Sequence, residues 1–491
     1  MKIFVTSTLF LASALILLQA QPALTIYNQN FAVVRDKVPL QLSKGQTSVT
    51  FDGATMMLEP DSVILRDPAG TPLNVLEQNY RNDPVSQERL LQIFEGKSIE
   101  FLIQETAKPD RMISGKIIRS GYVPPNAAGT GFPMPGGNVP IIEIEGAVRF
   151  GLPGQPLFPS LGDGTILKPQ LSWVISSPKE VKLDAELAYI TGGMSWLASY
   201  NIVLPPKGDR VDVVGWITME NQTGRDFVDA NIKLMAGDVN KVQPQALGVS
   251  KMRANVAFDM EAAAPAVTEK TFDEYHLYTL ARPTTLRDRE TKQVEFVRAS
   301  DVQSETLYIF DGVGSDWLRY RGWDDMARRE NPEFGLGGGN QKVTVVRQFL
   351  NTKENNLGLP LPKGRVRFYR SDDDGRMEFI GENQIDHTPV DETIRIVTGE
   401  SFDLVGERKR TNFQVDSANN RAEESFEIQL RNRKKEAVEI RVVDYLNRSN
   451  NWIITAKSQD YKKVNSHEIE FLVPLAAGEE KTVTYTVKYT W

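Results

Sequence analysis

Cysteine is absent from this chain of 491 residues, and histidine occurs only three times. Without cysteine there are no disulfides, no thiolate metal ligands and no cysteine nucleophile. His276, His387 and His467 are too widely spaced for a zinc motif. We therefore expect no catalytic, metal or cofactor-binding residue that a motif would identify, and a stability that comes from buried core area.

A strong charge of either sign is also lacking, since the net charge is only -7. This mild acidity disfavours nucleic acid or an anionic membrane as the main partner. Hydrophobic residues make up 41% and charged residues 25% of the chain, as in ordinary globular proteins. At about 150 residues per domain, the length predicts two to four domains.

Long apolar runs are missing except at the N-terminus. Lys2 precedes an apolar run over residues 9–18, and Ala20 offers a small residue for cleavage. This is the layout of a secretory signal peptide, and the run is short for a membrane anchor of about 20 residues. We expect cleavage after Ala20, export to the periplasm or the exterior, and no integral membrane span afterwards. No cysteine follows the run, which excludes a lipoprotein.

Period-two alternation is the dominant pattern of the remaining chain. Over residues 171–240 it predicts four strands of one antiparallel sheet, with apolar side chains on one face. These inward positions include Ala185, Leu187, Tyr189, Trp196, Tyr200 and Trp216. The fold class predicted is all-β, with two or more antiparallel, Ig-like β-sandwich domains.

Two short helices interrupt the β patterning. Ser86 is placed to cap the first, which Gly96 ends, and strand-like runs follow at 98–104, 112–119 and 141–150. Together they predict a small helix-plus-strands insertion near 72–150 in the N-terminal half. The second helix is predicted at 324–330, inside an irregular insertion over 314–340.

The domain organisation follows from these patterns. Residues 1–20 form the signal peptide, and 21–239 form an N-terminal β domain that contains the inserted segment. Residues 240–272, rich in Met, Ala, Pro and Glu, are predicted to be a linker. Residues 273–491 form a C-terminal β-sandwich domain.

Several strings resemble one family of exported bacterial proteins, the domain of unknown function 4139, which is distantly similar to mucoidy-inhibitor-like proteins. They are TGGMSW (191–196), NQTG (221–224), AGD (236–238), NLGLPLPKG (356–364), GENQIDHTP (381–389), FDLVGER (402–408) and TYTVKYTW (484–491). The resemblance implies an exported β-sandwich protein and supplies no reaction. The long helical insertion of the mucoidy-inhibitor relatives has no counterpart here beyond the helix near 86–95.

Four segments are candidates for chemistry, and each has a structural alternative. Asp386 beside His387 could orient a catalytic histidine, or His387 could bond backbone in a turn before Pro389. Residues 371–375 (SDDDG) offer carboxylates to Ca²⁺ but lack the EF-hand spacing, which favours a hairpin turn. Residues 335–340 are glycine-rich, but the strand-like run after them favours a surface loop over a phosphate loop. Ser195 lies in an alternating strand without the G-x-S-x-G motif.

Three functions remain open from the sequence. The first is a non-enzymatic, exported cell-envelope protein that binds an envelope protein or wall polymer through sheet edges and loops. The second is an exported hydrolase with an atypical site near Asp386 and His387. The third is an outer-membrane β-barrel, suggested by the alternating final strand that ends at Trp491.

Overall fold

The computed structural model describes residues 21–104, 109–122, 139–161, 165–237, 239–241, 267–272, 275–314, 320–337 and 339–491. Most of these residues lie in strands, and the described part of the chain contains two α-helices. This confirms the predicted all-β class. The predicted signal peptide lies outside the described residues, as does most of the predicted linker.

The helices are α1 (Gln87–Ile93) and α2 (Asp325–Glu330). The strands are β1 (Ala23–Tyr27), β2 (Phe31–Leu42), β3 (Gly45–Phe51), β4 (Ile64–Arg66), β5 (Asn74–Arg81), β6 (Ser98–Ile103), β7 (Arg111–Arg119), β8 (Ile141–Ile144), β9 (Ala147–Phe150), β10 (Gln155–Leu157), β11 (Gln170–Ser177), β12 (Val181–Gly192), β13 (Met194–Leu204), β14 (Arg210–Asn221), β15 (Phe227–Ala236), β16 (Val267–Phe272), β17 (Tyr275–Leu280), β18 (Thr284–Leu286), β19 (Glu290–Asp311), β20 (Lys342–Leu350), β21 (Gly364–Ser371), β22 (Met377–Ile385), β23 (Thr393–Asp416), β24 (Arg421–Asn432), β25 (Val438–Tyr445), β26 (Asn451–Lys457), β27 (Lys462–Lys463), β28 (Glu468–Leu475) and β29 (Glu480–Thr490).

The chain folds into two compact units, each built from three segments. Of the described residues, the first unit contains those within 21–196, 219–235 and 277–292, and the second contains those within 197–218, 236–276 and 293–491. The predicted linker at 240–272 and the domain boundaries beside it stay predictions.

The first unit contains a sheet with the strand order β17–β15–β1–β2–β12–β4. Its longest pairing joins β2 to β12 antiparallel, from Phe31 opposite Gly192 to Leu42 opposite Val181. Ala185, Leu187 and Tyr189 of β12 are buried, as their alternation predicts. Strand β1 pairs parallel with β15, so this sheet is mixed rather than purely antiparallel.

The prediction that residues 171–240 form one sheet is wrong. Strands β12 and β15 belong to the sheet of the first unit, whereas β13 and β14 belong to the large sheet of the second. The division occurs at Gly193, whose φ of +76° is a left-handed conformation that glycine adopts without strain. Alternation predicts which side chains are buried, but it does not specify the neighbouring strand.

The predicted helix-plus-strands insertion is present in the first unit. Helix α1 begins after Ser86, whose hydroxyl accepts a hydrogen bond from the Arg89 backbone N–H at 3.2 Å. A five-stranded sheet of order β10–β6–β7–β8–β9 follows. Leu91 and Phe94 share a small core with the buried strand residues Ile99, Phe101, Ile117 and Ile142.

The second unit contains a large sheet of order β22–β21–β13–β14–β19–β20–β23–β24–β29–β26. Strand β25 pairs parallel with β19 and antiparallel with β28. Buried side chains of β24 and β29 share one core with those of β25 and β28, which gives a sandwich-like packing. In the final strand, Val483, Tyr485, Val487 and Tyr489 are buried, as predicted.

Candidate functional site

The hairpin of β21 and β22 in the second unit contains one of the predicted candidate segments. The backbone N–H of Asp372 donates to the Arg376 carbonyl at 2.7 Å, and that of Gly375 donates to the Asp372 carbonyl at 3.0 Å. These bonds confirm a hairpin turn at 371–375. The Asp374 carboxylate lies 3.5 Å from the Arg376 guanidinium. The described residues contain no cluster of three or more His, Asp or Glu suited to a metal.

Strand β22 is the last strand at one end of the large sheet. Met377, Phe379 and Ile380 are 61%, 55% and 38% exposed. The Phe379 ring makes an edge-on contact with Tyr369 of β21 at 5.9 Å between centroids. We name the residues Met377 to Ile380 the open edge. Natural edge strands usually carry lysine, proline or a covering loop, which makes exposed apolar residues at this position unusual.

The middle of β22 is covered by β23. The Asn383 side-chain amide donates to the Val397 carbonyl at 3.1 Å. At Gly381, an added Cβ would lie 2.3 Å from the Thr398 carbonyl oxygen, so this close approach requires glycine. The accessible part of the strand is therefore confined to the open edge.

A polar groove of about 490 Å³ lies where β22 ends and β23 begins. It is lined by Gln384, Ile385, Asp386, Thr388, Thr393, Ile394 and Arg395. The Asp386 carboxylate lies 3.6 Å from Lys363 Nζ. His387 Nδ1 accepts a hydrogen bond from the Lys363 backbone N–H at 3.2 Å, as the turn interpretation predicts. Since Nδ1 accepts from the backbone, this nitrogen is not placed to donate to the Asp386 carboxylate, as it would in a catalytic pair.

The other candidate residues are mostly structural. Ser195 lies within β13, and Trp196 and Tyr200 are buried, whereas Trp216 is half-buried. The predicted helix at 324–330 is confirmed as α2, with the Asp324 carboxylate accepting from the Ala327 backbone N–H at 2.7 Å.

The glycine-rich segment at 335–340 precedes strand β20, as predicted, so no helix N-terminus is available for a phosphate. Its first residue, Gly335, is fixed by a hydrogen bond, since the Gly335 carbonyl accepts from Arg408 Nη1 at 2.9 Å.

A group of three arginines in the second unit, with side chains at most 9% exposed, was not predicted. We name Arg408, Arg410 and Arg448 the arginine cluster. Arg408 Nε donates to Asp444 at 2.8 Å, and both Arg410 and Arg448 contact Glu424, at 3.0 and 2.8 Å. Both carboxylates are buried, which makes each ion pair sensitive to loss of its partner.

The arginine cluster also binds main-chain oxygens of the segment that contains α2. Arg448 donates to the carbonyls of Arg328 (2.8 Å), Arg329 (3.3 Å), Asn331 (3.0 Å) and Phe334 (2.9 Å). Arg410 donates to the Pro332 carbonyl. We name the described residues 320–337 the clamped segment.

Burial and charge shift the pKa values around the arginine cluster. Burial alone would lower the pKa of Arg408, but the Asp444 carboxylate raises it above its ordinary value, so the guanidinium stays charged. Burial, with the nearby Asp444 charge, raises the pKa of Tyr485 well above its ordinary value. Its hydroxyl therefore stays protonated and donates to Asp444 at 2.7 Å.

In the first unit, the string NQTG (221–224) forms a polar turn in which Asn221 and Thr223 are fully buried, whereas Gln222 and Gly224 are exposed. The Asn221 amide donates to the carbonyls of Arg225 (2.8 Å) and Leu286 (3.2 Å). Its side-chain oxygen accepts from the Thr223 backbone N–H (3.1 Å) and hydroxyl (2.8 Å). This asparagine therefore has a structural role.

These features define a multi-sheet β protein with a sandwich-like core and a partly uncovered sheet edge. The family described as "Domain of unknown function (DUF4139)" has a sequence model that matches residues 185–491, more than half of the chain. The chain therefore belongs to the DUF4139 family, as its strings indicate. No curated protein matches the chain. Within the described residues, no helix has the length and apolar character needed to cross a membrane.

Proposed function

We propose that this protein is an exported, non-enzymatic cell-envelope protein that binds an extended segment of another protein along the open edge of β22. The observation that carries the proposal is the exposure of Met377, Phe379 and Ile380 on a terminal strand of a large sheet. The signal-peptide layout of residues 1–20 supports export, and the wall polymer remains an alternative partner.

Strand addition suits this edge for two reasons. The open edge has the sequence MEFI, with Glu378 as its single charged residue and without proline or lysine. Met377, Glu378 and Phe379 pair regularly with β21 before the bulge at Ile380. These three residues extend over about 10 Å, enough for a short incoming strand to form main-chain hydrogen bonds. Because side chains alternate along a strand, Met377 and Phe379 lie on the same face and would contact alternate side chains of the partner.

The non-enzymatic part of the proposal is supported by the contacts near the polar groove. Asp386 and His387 both contact Lys363, through its side chain and its backbone respectively. Because Nδ1 of His387 accepts from a backbone N–H, this nitrogen does not donate to a carboxylate, as that of a catalytic histidine would.

Crosslinking in living cells tests the binding site. A photoreactive amino acid at Phe379 should yield a discrete protein adduct, whereas the same group at Thr482, exposed on β29, should not. With the adduct identified and purified, Phe379→Lys should weaken the complex at least tenfold, about 1.4 kcal/mol. Equal binding by Phe379→Lys and Thr482→Lys would refute the open edge as the site.

Export is tested separately by determining the N-terminus of the protein purified from the cells that make it. We expect Gln21 as the first residue, and recovery of the protein in the envelope or medium. A cytoplasmic protein that retains residues 1–20 would contradict export without deciding whether the open edge binds protein.

A further inference from the structure

A second depression lies on the outer face of the large sheet, away from the residues of the open edge. Four neighbouring strands contribute to it, in the order β23, β24, β29 and β26. Its volume is about 220 Å³. The residues that line it, which we name the hydroxyl groove, are Thr411, Ser425, Phe426, Glu427, Ala456, Lys457, Ser458, Thr484, Tyr485 and Thr486.

The hydroxyls of this groove retain hydrogen-bonding capacity. Ser425 Oγ and Thr486 Oγ1 are 2.9 Å apart, and since only one of them donates to the other, one proton remains available. Ser458 Oγ accepts from the Thr484 backbone N–H at 2.9 Å and keeps its own proton. The Thr484 hydroxyl makes no hydrogen bond with other described residues. The groove therefore offers both donors and acceptors.

Its two charged side chains already have partners. Lys457 Nζ donates to the Asp460 carboxylate at 2.6 Å. The Glu427 carboxylate accepts from the Gln429 amide at 3.1 Å. With one cation and one anion in the lining, the groove has no charge excess to attract a phosphorylated or acidic polymer.

We propose that the hydroxyl groove binds a neutral glycan chain. Each sugar hydroxyl both donates and accepts, which matches serine and threonine hydroxyls better than it matches groups that only donate or only accept. Ligand pockets that enclose a whole small molecule measure roughly 300–1,000 Å³, so this smaller groove suits one or two units of a longer chain. The site is independent of the open edge, since the two share no residue.

Calorimetric titration of the full mature protein tests this inference. The probes are the tetrasaccharides cellotetraose, maltotetraose and tetra-N-acetylchitotetraose. We expect at least one to bind, and the double substitution Thr484→Val with Thr486→Val to lower its affinity at least tenfold. Valine keeps the size and strand preference of threonine while removing the hydroxyl.

Thr482→Val is the matched control, since Thr482 lies exposed on the same strand but does not line the groove. The Thr482→Val variant should bind the probe with an affinity within twofold of that of the wild type. Ala456→Leu fills the groove without removing a hydroxyl, and it should abolish binding even if the double variant folds poorly. The inference is overturned if none of the three probes binds, or if Ala456→Leu binds as the wild type does.

Discussion

Replacing Arg448 by methionine tests how the clamped segment is held in place. The Arg448 side chain is almost completely buried, at 1% exposure, and its guanidinium contacts Glu424 at 2.8 Å. It also lies 4.4 Å from the centre of the Phe413 ring. Methionine has an unbranched side chain that resembles the aliphatic part of arginine, but it donates no hydrogen bond.

The expected cost follows from the bonds that are lost. Removing one partner of a buried ion pair costs about 3–5 kcal/mol, because the remaining charge is left in the interior. Glu424 keeps a second partner in Arg410, at 3.0 Å, so the lower end applies, about 3 kcal/mol. Main-chain oxygens of the clamped segment lose their donors as well, which concentrates the effect there.

Hydrogen exchange of backbone amides measures this locally, without assuming that a two-unit protein unfolds in one step. Amides of the clamped segment should exchange about a hundredfold faster in Arg448→Met than in the wild type. Arg421→Met is the control, because its ion pair with Asp416 is exposed at 45% and 36% and should contribute little to stability. A change below threefold in Arg448→Met would show that the arginine does not hold the segment.

Two further predictions concern the first unit. Asn221→Ala removes both donors and the acceptor of a fully buried amide and should destabilise the first unit by about 3 kcal/mol. Hydrogen exchange of amides around the turn at 221–224 measures this against the exposed Asn79→Ala, and equal exchange rates in the two variants would contradict it. Burial raises the pKa of Tyr189 to about 12 from an ordinary 10.0, so the folded state keeps this proton longer than the unfolded state does. The stability that results is complete below about pH 10 and is lost as the pH rises toward 12. Tyr189→Phe should therefore reduce the loss of stability at alkaline pH. Ionisation of Tyr189 near pH 10 in the folded protein would refute this prediction.

The features that were predictable from the sequence depend on short-range chemistry. Ser86 and Asp324 cap the two helices because a side-chain oxygen reaches the N–H three residues later. The turn at 371–375 and the buried residues of β29 follow from glycine placement and alternation. The hydrogen bond from the Lys363 backbone to His387 likewise agrees with the turn predicted before Pro389.

Strand partners were not predictable, because they depend on contacts distant in the sequence. Ala23 of β1 lies opposite Asn231 of β15, and Ala198 of β13 lies opposite Gly364 of β21, both in parallel register. Alternation within a strand carries no information about such partners. The open edge was missed for the same reason, since a strand is terminal only in relation to its sheet.

The arginine cluster could have been inferred in part from the alternation of charged and apolar residues in the sequence. Arg408 and Arg410 occupy the same alternate positions as the buried Leu404, and Glu424 lies between the buried Ala422 and Phe426 in the same phase. Charged residues at inward positions of two strands indicate a buried ionic pair. Which charges meet depends on the register between the strands, which the sequence does not specify.

The hydrogen bonds from the arginine cluster to the clamped segment end on carbonyl oxygens, which every amino acid possesses. Exposed side chains of this stretch, such as that of Glu333, can therefore change without loss of these bonds, whereas Phe334 is buried against Arg448. The segment can diversify its outward surface among relatives while Arg408, Arg410 and Arg448 hold its position. The backbone of the clamped segment is thus held in place while its exposed residues are able to vary.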